Sequence, residues 1–412
     1  MVEQTEWSWC PRQARRDLLK FLLSSPLLGA SAGAVIAQDL AEESAAELTS
    51  PRRATNVFQF EDVARKKLAS EMYNFIADGS DDMKTVRANR AAFDAIEIRV
   101  RRLIDVSEID TSVELFGQKM RTPIILAPVG AQQQMHPDGE LASARAAKSR
   151  QHVMIASTMT SYSVGAIGAE APNLTWFQLY PMPDRSVTQQ LLAKAEAAGA
   201  RVIVVTIDGP TLGNRESQKA FFRRSTGSSQ SRLGNMEGIR GKFRVGDPSL
   251  TWNYVDWLRN NTDKPIVLKG IVTREDASLC VKYGVDGLVI SNHGGRQEES
   301  NRGTLQSLPE IVEVVDGRIP ILIDGGFRRG TDMFKALAMG ASAIGIGRAY
   351  IWGLAAFGQP GVERVLDLLT VELMRIMKFA GTTSIADIGR AHVQAKDWPA
   401  AIARASGSKP ES

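Results

Sequence analysis

From residue 123 onward the chain repeats one unit, a short run rich in Val and Ile followed by a stretch with helical spacing. Eight such runs lie at 123–129, 152–157, 174–180, 201–208, 265–270, 287–292, 320–325 and 343–347. Strands apolar on both faces are the mark of parallel strands covered by helices. Between them, 184–198 carries Val187, Leu191, Leu192 and Ala195 on one helical face, and 331–339 reads as helix in the same way. Eight strand–helix units in succession predict an α/β fold of the (β/α)8 TIM barrel type. An open doubly wound sheet is the competing arrangement, and no glycine-rich dinucleotide turn follows the first strand to support it.

One interval breaks the rhythm. Residues 209–264 form a connection far longer than a strand-to-helix loop needs, and its middle, 221–246, is rich in Arg, Ser and Gly. That composition predicts a mobile lid, an insertion at 209–248, over one mouth of the barrel. Around the barrel domain, 111–395, we expect a linker and N-terminal helical segment at 38–110, with the helical preface at 52–110. A closing amphipathic helix is expected at 362–379 and a tail at 396–412.

The first 37 residues read differently. Arg15-Arg16 precedes an uncharged stretch, 21–37, interrupted by Ser24, Ser25 and Pro26 and too short for a comfortable membrane span. Val35-Ile36-Ala37 offers a small-residue cleavage pattern before Gln38. The ensemble resembles a twin-arginine export signal, which implies the twin-arginine export machinery as a partner, periplasmic localisation and export in a folded, cofactor-loaded state. A basic N-terminal helix with a chance arginine pair is the plainer alternative. Cys10 falls inside the signal, so its removal leaves Cys280 as the only thiol. Two cysteines and four histidines support neither a disulfide framework nor a structural metal site, so no metal is expected. A net charge of +4, spread along the chain, is not the basic stripe of a nucleic-acid binder.

In such a barrel the chemistry collects at the C-terminal strand ends. The seventh and eighth ends, Asp324-Gly325-Gly326-Phe327-Arg328 and Gly345-Ile346-Gly347-Arg348, predict a phosphate site. Glycines there admit backbone N–H groups to an anion, and Arg328 and Arg348 can pair with its oxygens. The sixth end, Ser291-Asn292-His293-Gly294-Gly295-Arg296, sets a titratable base beside a fixed cation in an open mouth. Asp208, from the fourth end, can orient that imidazole and stabilise its protonated form. Arg296 and Arg215 offer two guanidinium forks for a substrate carboxylate. His136, His152 and His392 read as structural.

The stretch Ser291 to Gln297, with Asp324 to Gly330, resembles the FMN-dependent 2-hydroxy-acid oxidase family, which includes glycolate oxidase, lactate oxidase and mandelate dehydrogenase. The likeness extends from about Phe58 to Val393 and takes in Ala127-Pro128, Ser157, Phe177-Gln178-Leu179-Tyr180 and Gly347-Arg348. It implies that FMN is the cofactor and that Pro128, Val129, Gly130, Ser157, Gln178 and Thr206 line its ring. Lys269 would stabilise negative charge on the reduced ring. Ser291 and Asp324 would hold the ribityl chain, and Gly325, Gly326, Phe327, Arg328, Gly347 and Arg348 the phosphate region. His293 would take a proton from an (S)-2-hydroxy acid, lactate-like or bulkier, with Asp208 steadying the imidazolium. Arg215, Arg296 and Tyr180 would bind that substrate. The resemblance further implies a homo-oligomer, a tetramer, and an acceptor that is oxygen, a cytochrome or a quinone. Hydride and carbanion routes both fit these residues.

Two positions depart from the family. Aligning Gly79, Thr85 and Asn89 without gaps places Phe75 where the family usually carries a second substrate-binding tyrosine. Met159 stands where several members carry tryptophan. A lost donor to a charged group costs roughly 1.5–3 kcal/mol, so the pocket is expected to be less polar and differently shaped. The expected activity is oxidation of the hydroxy acid to the 2-oxo acid. The alternatives are the same flavin chemistry on a substrate that is not a hydroxy acid, or a non-catalytic exported flavin-binding protein.

Overall fold

Three short strands, β1 (Ile96–Ile98), β2 (Val113–Leu115) and β3 (Gln118–Met120), precede eight parallel strands that close on one another. The eight are β4 (Ile124–Leu126), β5 (Val153–Ser157), β6 (Thr175–Leu179), β7 (Ile203–Thr206), β8 (Ile266–Ile271), β9 (Gly287–Ile290), β10 (Ile321–Asp324) and β11 (Ala343–Ile346). Each pairs with the next, and β11 returns to β4 through Ile344↔Ile124 and Ile346↔Leu126, so no sheet edge is left open. This is the expected TIM barrel, with each apolar run in its place. The computed structural model describes residues 48–219 and 233–395. The expected signal at 1–37, part of the expected linker, part of the expected lid (220–232) and the expected tail at 396–412 lie outside the described residues.

The helices follow the sequence pattern. Asp184 caps the helix Arg185–Ala197 by accepting from the Ser186 N–H, and Thr273 caps Arg274–Lys282. The closing helix is longer than expected, Gln359–Ala380, because Pro360 can occupy its first turn without losing a hydrogen bond. At 52–110 the helical expectation holds only in part. Helices Gln59–Lys67, Ser70–Ala77 and Lys84–Ala91 form, but Ile96–Ile98 is a strand, paired antiparallel with the tail strand β12 (Val393–Ala395). Its apolar residues alternate, a period that suits a strand covered on one face.

The barrel is a packed core, not a channel. At its N-terminal end Ile125, Val153, Ile155, Trp176, Val204, Val267, Val289 and Leu322 form one buried cluster with Leu115 and Met120 of the β2–β3 hairpin. The hairpin plugs that end. Phe116, at its turn, packs edge-on against Trp176 with ring centroids 5.4 Å apart, and the indole N–H donates to Gln118 Oε1 at 3.0 Å. The other end stays open. The helix Ser70–Ala77 is held beside it by Tyr73, which stacks on Trp352 at 5.2 Å. Among the described residues no helix is long and apolar enough to cross a membrane.

Candidate active site

The open end of the barrel leads into a cavity of about 1090 Å³ lined by the C-terminal ends of the strands. At one side lie Gly325, Gly326, Phe327 and Arg328 after β10, and Gly347 and Arg348 after β11. A Cβ added at Gly347 would meet no atom within 4 Å, so open space borders that backbone. The helix Arg348–Phe357 starts there, and its N-cap, Gly347, makes no side-chain cap among the described residues. Burial, then the neighbouring guanidinium of Arg348, pushes Arg328 down to about 10, and burial does the same to Arg348. Neither pairs with a carboxylate among the described residues. Arg348 instead donates to three backbone carbonyls, Ile76 O at 2.9 Å, Asp78 O at 2.8 Å and Gly294 O at 2.9 Å. Two of these belong to the C-terminal end of the Ser70–Ala77 helix, where the helix dipole favours a cation.

The cavity wall continues through Lys269, which is buried between β7 and β9. Its ammonium donates to Ser291 Oγ at 2.7 Å and lies 3.3 Å from Asp324 Oδ2. Burial opposes its charge, yet the carboxylates of Asp324 and Asp208 hold it above its ordinary value. Ser291 Oγ donates to Asp324 Oδ1 at 2.7 Å and accepts from the His293 N–H at 3.1 Å. One hydroxyl thus ties a cation, a carboxylate and the backbone of the histidine together.

His293 sits at the rim, its Nδ1 3.1 Å from Asp208 Oδ1 and its Nε2 3.4 Å from the Tyr180 hydroxyl. Burial raises the Asp208 carboxyl, but the His293 imidazole and Lys269 outweigh it and hold the group below its ordinary range. An ionised Asp208 can only accept, so the imidazole turns its Nδ1–H toward it, which directs Nε2 at Tyr180. Tyr180 is pushed up to about 12 by burial and by Asp208, so it remains a phenol and can donate. Arg296 donates to Ile76 O at 3.3 Å and Asp78 O at 2.8 Å, and lies over the Phe75 ring at 5.3 Å. Burial, with Arg348 and Arg215 nearby, pushes it down to about 9. Arg215 is also lowered by burial, and its Nε has no partner among the described residues.

The structure brings the sequence-predicted residues together with two distinctions. Pro128, Val129, Gly130, Ser157, Thr206, Lys269, Tyr180, Arg215, His293, Arg296 and the residues of the last two strand ends line the cavity. Gln178, Ser291 and Asp208 stand one layer back. Gln178 Oε1 accepts from Ser157 Oγ at 3.0 Å and Thr158 N at 3.2 Å, while its Nε2 is buried without a partner. His152 is structural as expected, buried with Nδ1 between Thr122 Oγ1 and Ile124 O and pushed down to about 4 by burial. Sequence reasoning missed Leu212, Leu233 and Val245, which lend the long connection's apolar side chains to the wall. Isolated apolar residues in a polar segment carry no period, so only their place after the fourth strand could have pointed to them. Phe75 and Met159 are in the wall.

The residues present fit FMN. Two half-buried guanidiniums beside an open glycine backbone, and a buried ammonium in the cavity wall, are the donor set that a phosphate and a ring taking up negative charge on reduction require.

Comparison with known proteins agrees. The model of the FMN-dependent dehydrogenase family matches residues 64–395. The chain is 42% identical over 356 residues to the peroxisomal (S)-2-hydroxyacid oxidase GLO3 of Arabidopsis thaliana, covering 83% of this chain and 97% of that protein. It is 40% identical over 365 residues to glycolate oxidase of Spinacia oleracea, covering 85% and 98%. A crystal structure of mandelate oxidase with (S)-2-phenylpropionate superposes with a TM-score of 0.77 at 36% identity, covering 83% of this chain and 98% of that one.

A carboxyl depressed in the folded protein contributes stability above its unfolded value, near pH 4, and loses it as pH falls through the folded value. D208N is therefore expected to lower the Tm near pH 7, and the gap to wild type should narrow below about pH 4. Thermal scans across pH check this. A gap that stays constant into acid contradicts the assignment.

Proposed function

Because this chain belongs to the FMN-dependent dehydrogenase family and is an FMN-dependent oxidoreductase of 2-hydroxy acids, we propose that His293 is its base and that its substrate is an (S)-2-hydroxy acid, lactate-like or bulkier. The observation that carries this reading is the His293 ring, held through Nδ1 by Asp208 with Nε2 at the cavity. The chemistry that bound FMN supplies is acceptance of an electron pair from the hydroxyl-bearing carbon. The chain does the rest. Nε2 takes the proton, and Asp208, ionised and 3.1 Å away, steadies the imidazolium that results. Tyr180, a phenol at 3.4 Å from the same Nε2, can donate to the substrate oxygen where the proton leaves. Lys269 offers a fixed positive charge in a buried setting, where it acts more strongly than in water.

Arg215 and Arg296 hold the substrate carboxylate. Arg296 keeps part of its fork on backbone carbonyls, which locks its plane, and Arg215 has a buried N–H still to satisfy. A carboxylate bound between them relieves two crowded cations at once. This pair favours a hydroxy acid over the alternative substrates, and the assembled base disfavours a merely flavin-binding role. Phe75, Met159, Leu212, Leu233 and Val245 give the rest of the cavity an apolar wall. Each extra buried methylene is worth about 0.8 kcal/mol, so an α-substituent of several carbons gains what glycolate cannot. For residues 1–37 the reading is export to the periplasm by the twin-arginine route, supported by Arg15-Arg16, the uncharged stretch that follows and Val35-Ile36-Ala37.

With FMN loaded, anaerobic bleaching by a panel of (S)-2-hydroxy acids should show kcat/KM for larger aliphatic or aromatic acids about tenfold or more above that for glycolate. H293Q should slow bleaching about 10²–10⁴-fold with FMN content unchanged. A variant within a few-fold of wild type sinks the base assignment, and a glycolate preference sinks the substrate one. Replacing Arg15 and Arg16 by lysines should trap the protein in the cytoplasm of an expressing bacterium. Undiminished periplasmic recovery would reject the export reading.

A further inference from the structure

The His293 turn is strained. His293 has φ +57, in the left-handed region that non-glycine residues enter at a cost, so something must over-determine it. Two bonds come from within the turn, the His293 N–H to Ser291 Oγ and the Gly295 N–H to Asn292 Oδ1 at 3.0 Å. The third restraint comes from outside the barrel. On the helix Lys84–Ala91, Asn89 Nδ2 donates to Asn292 Oδ1 at 2.9 Å, and Asn292 Nδ2 donates back to Asn89 Oδ1 at 2.9 Å. Both residues are buried. An amide facing an amide lets each member donate and accept at the same time through a planar group.

The same helix grips the loop after β10. Asn89 Oδ1 also accepts from the Thr304 N–H at 3.1 Å, and Thr304 Oγ1 donates to Asp324 O at 2.6 Å. A Cβ at Gly326 would come within 2.4 Å of Asn89 O, so that glycine is required by the helix above it. Arg90, the next residue, donates to Gly326 O at 2.6 Å and pairs with Asp332 Oδ2 at 2.5 Å. Asp332 Oδ2 in turn accepts from the backbone N–H groups of Arg328 and Arg329. One short helix therefore touches both the turn that carries the base and the glycine loop beside the guanidiniums.

We propose that Asn89 is a positioning residue that locks the His293 turn to the glycine loop after β10, so that the grip on FMN and the placement of the base are set together. The proposal rests on the reading of His293 as base and FMN as cofactor. Asn89 itself does not line the cavity. Removing its amide leaves Asn292 and the Thr304 N–H short of partners in a buried place, which frees the turn to relax from its strained form.

The test compares N89A with A88G, which weakens the same helix without removing the amide. Two quantities are read: the FMN Kd of deflavinated protein, from quenching of flavin fluorescence, and, at saturating FMN, kcat and KM for (S)-lactate or (S)-mandelate. N89A is expected to raise the FMN Kd about tenfold and lower kcat about tenfold, with KM within about threefold of wild type. A88G should lower the Tm while leaving both quantities near wild type. N292A removes the same pair from the barrel side, and serves if N89A folds poorly. The losses in N89A/N292A should sum to clearly less than those of the two single variants added, because the shared amide pair is lost in all three while the Thr304 and Gly295 bonds are lost separately. Effects of N89A equal to those of A88G, a loss in only one of the two quantities, or additive losses in the double variant overturn the proposal. Failure of the His293 reading would show separately, as undiminished bleaching in H293Q.

Discussion

Four guanidiniums, those of Arg215, Arg296, Arg328 and Arg348, are half-buried around one cavity, and none forms an ion pair with a carboxylate among the described residues. Charges taken out of water without counter-charges are the most expensive groups a fold can hold. The fold tolerates them by offering carbonyl oxygens, chiefly Ile76 O and Asp78 O at the end of the Ser70–Ala77 helix. Backbone carbonyls hold a guanidinium in place without cancelling its charge. The cavity is therefore a site prepared for anions, and the substrate and cofactor classes follow from that. On the proposed reading the phosphate sits on the glycine-lined side and the carboxylate beside His293.

The two anion subsites are bridged by a chain of buried polar contacts. Lys269, Ser291 and Asp324 form its centre, and Ser291 passes it to the His293 backbone. Asp208 sits behind the imidazole and depends on the same cations for its ionised state. The barrel supplies the precision, since each of these side chains leaves a strand end fixed by parallel pairing with its neighbours. The plug at the opposite end, where the β2–β3 hairpin meets Trp176, lets the strands hold that geometry without serving it chemically.

Much of this was legible in the sequence because it is local. The strands announce themselves as apolar runs, and the chemistry lies in the residues directly after them, so His293, Asp324, Arg328 and Arg348 could be named from position alone. Phe75, reached by counting from Gly79, Thr85 and Asn89 along one ungapped segment, lies in the cavity wall against Arg296. What escaped was non-local. The β2–β3 hairpin is two three-residue strands, too short for a period to show, and β1 exists only because the tail strand pairs with it. Asn89 reads as an ordinary polar residue on a helix until the fold brings Asn292 and Thr304 to it. Gln178 and Ser291 stand one layer behind the cavity wall, bonded to Ser157 and Lys269, since strand alternation gives the direction of a side chain but not its reach.

The account stands most directly on where the acid lies. A crystal structure of the full chain with FMN and a bound 2-oxo acid would measure this. The account predicts the carboxylate between Arg215 and Arg296, with the keto oxygen within hydrogen-bond distance of His293 Nε2. A carboxylate seated on Arg328 and Arg348, or a keto oxygen turned away from His293, would contradict it.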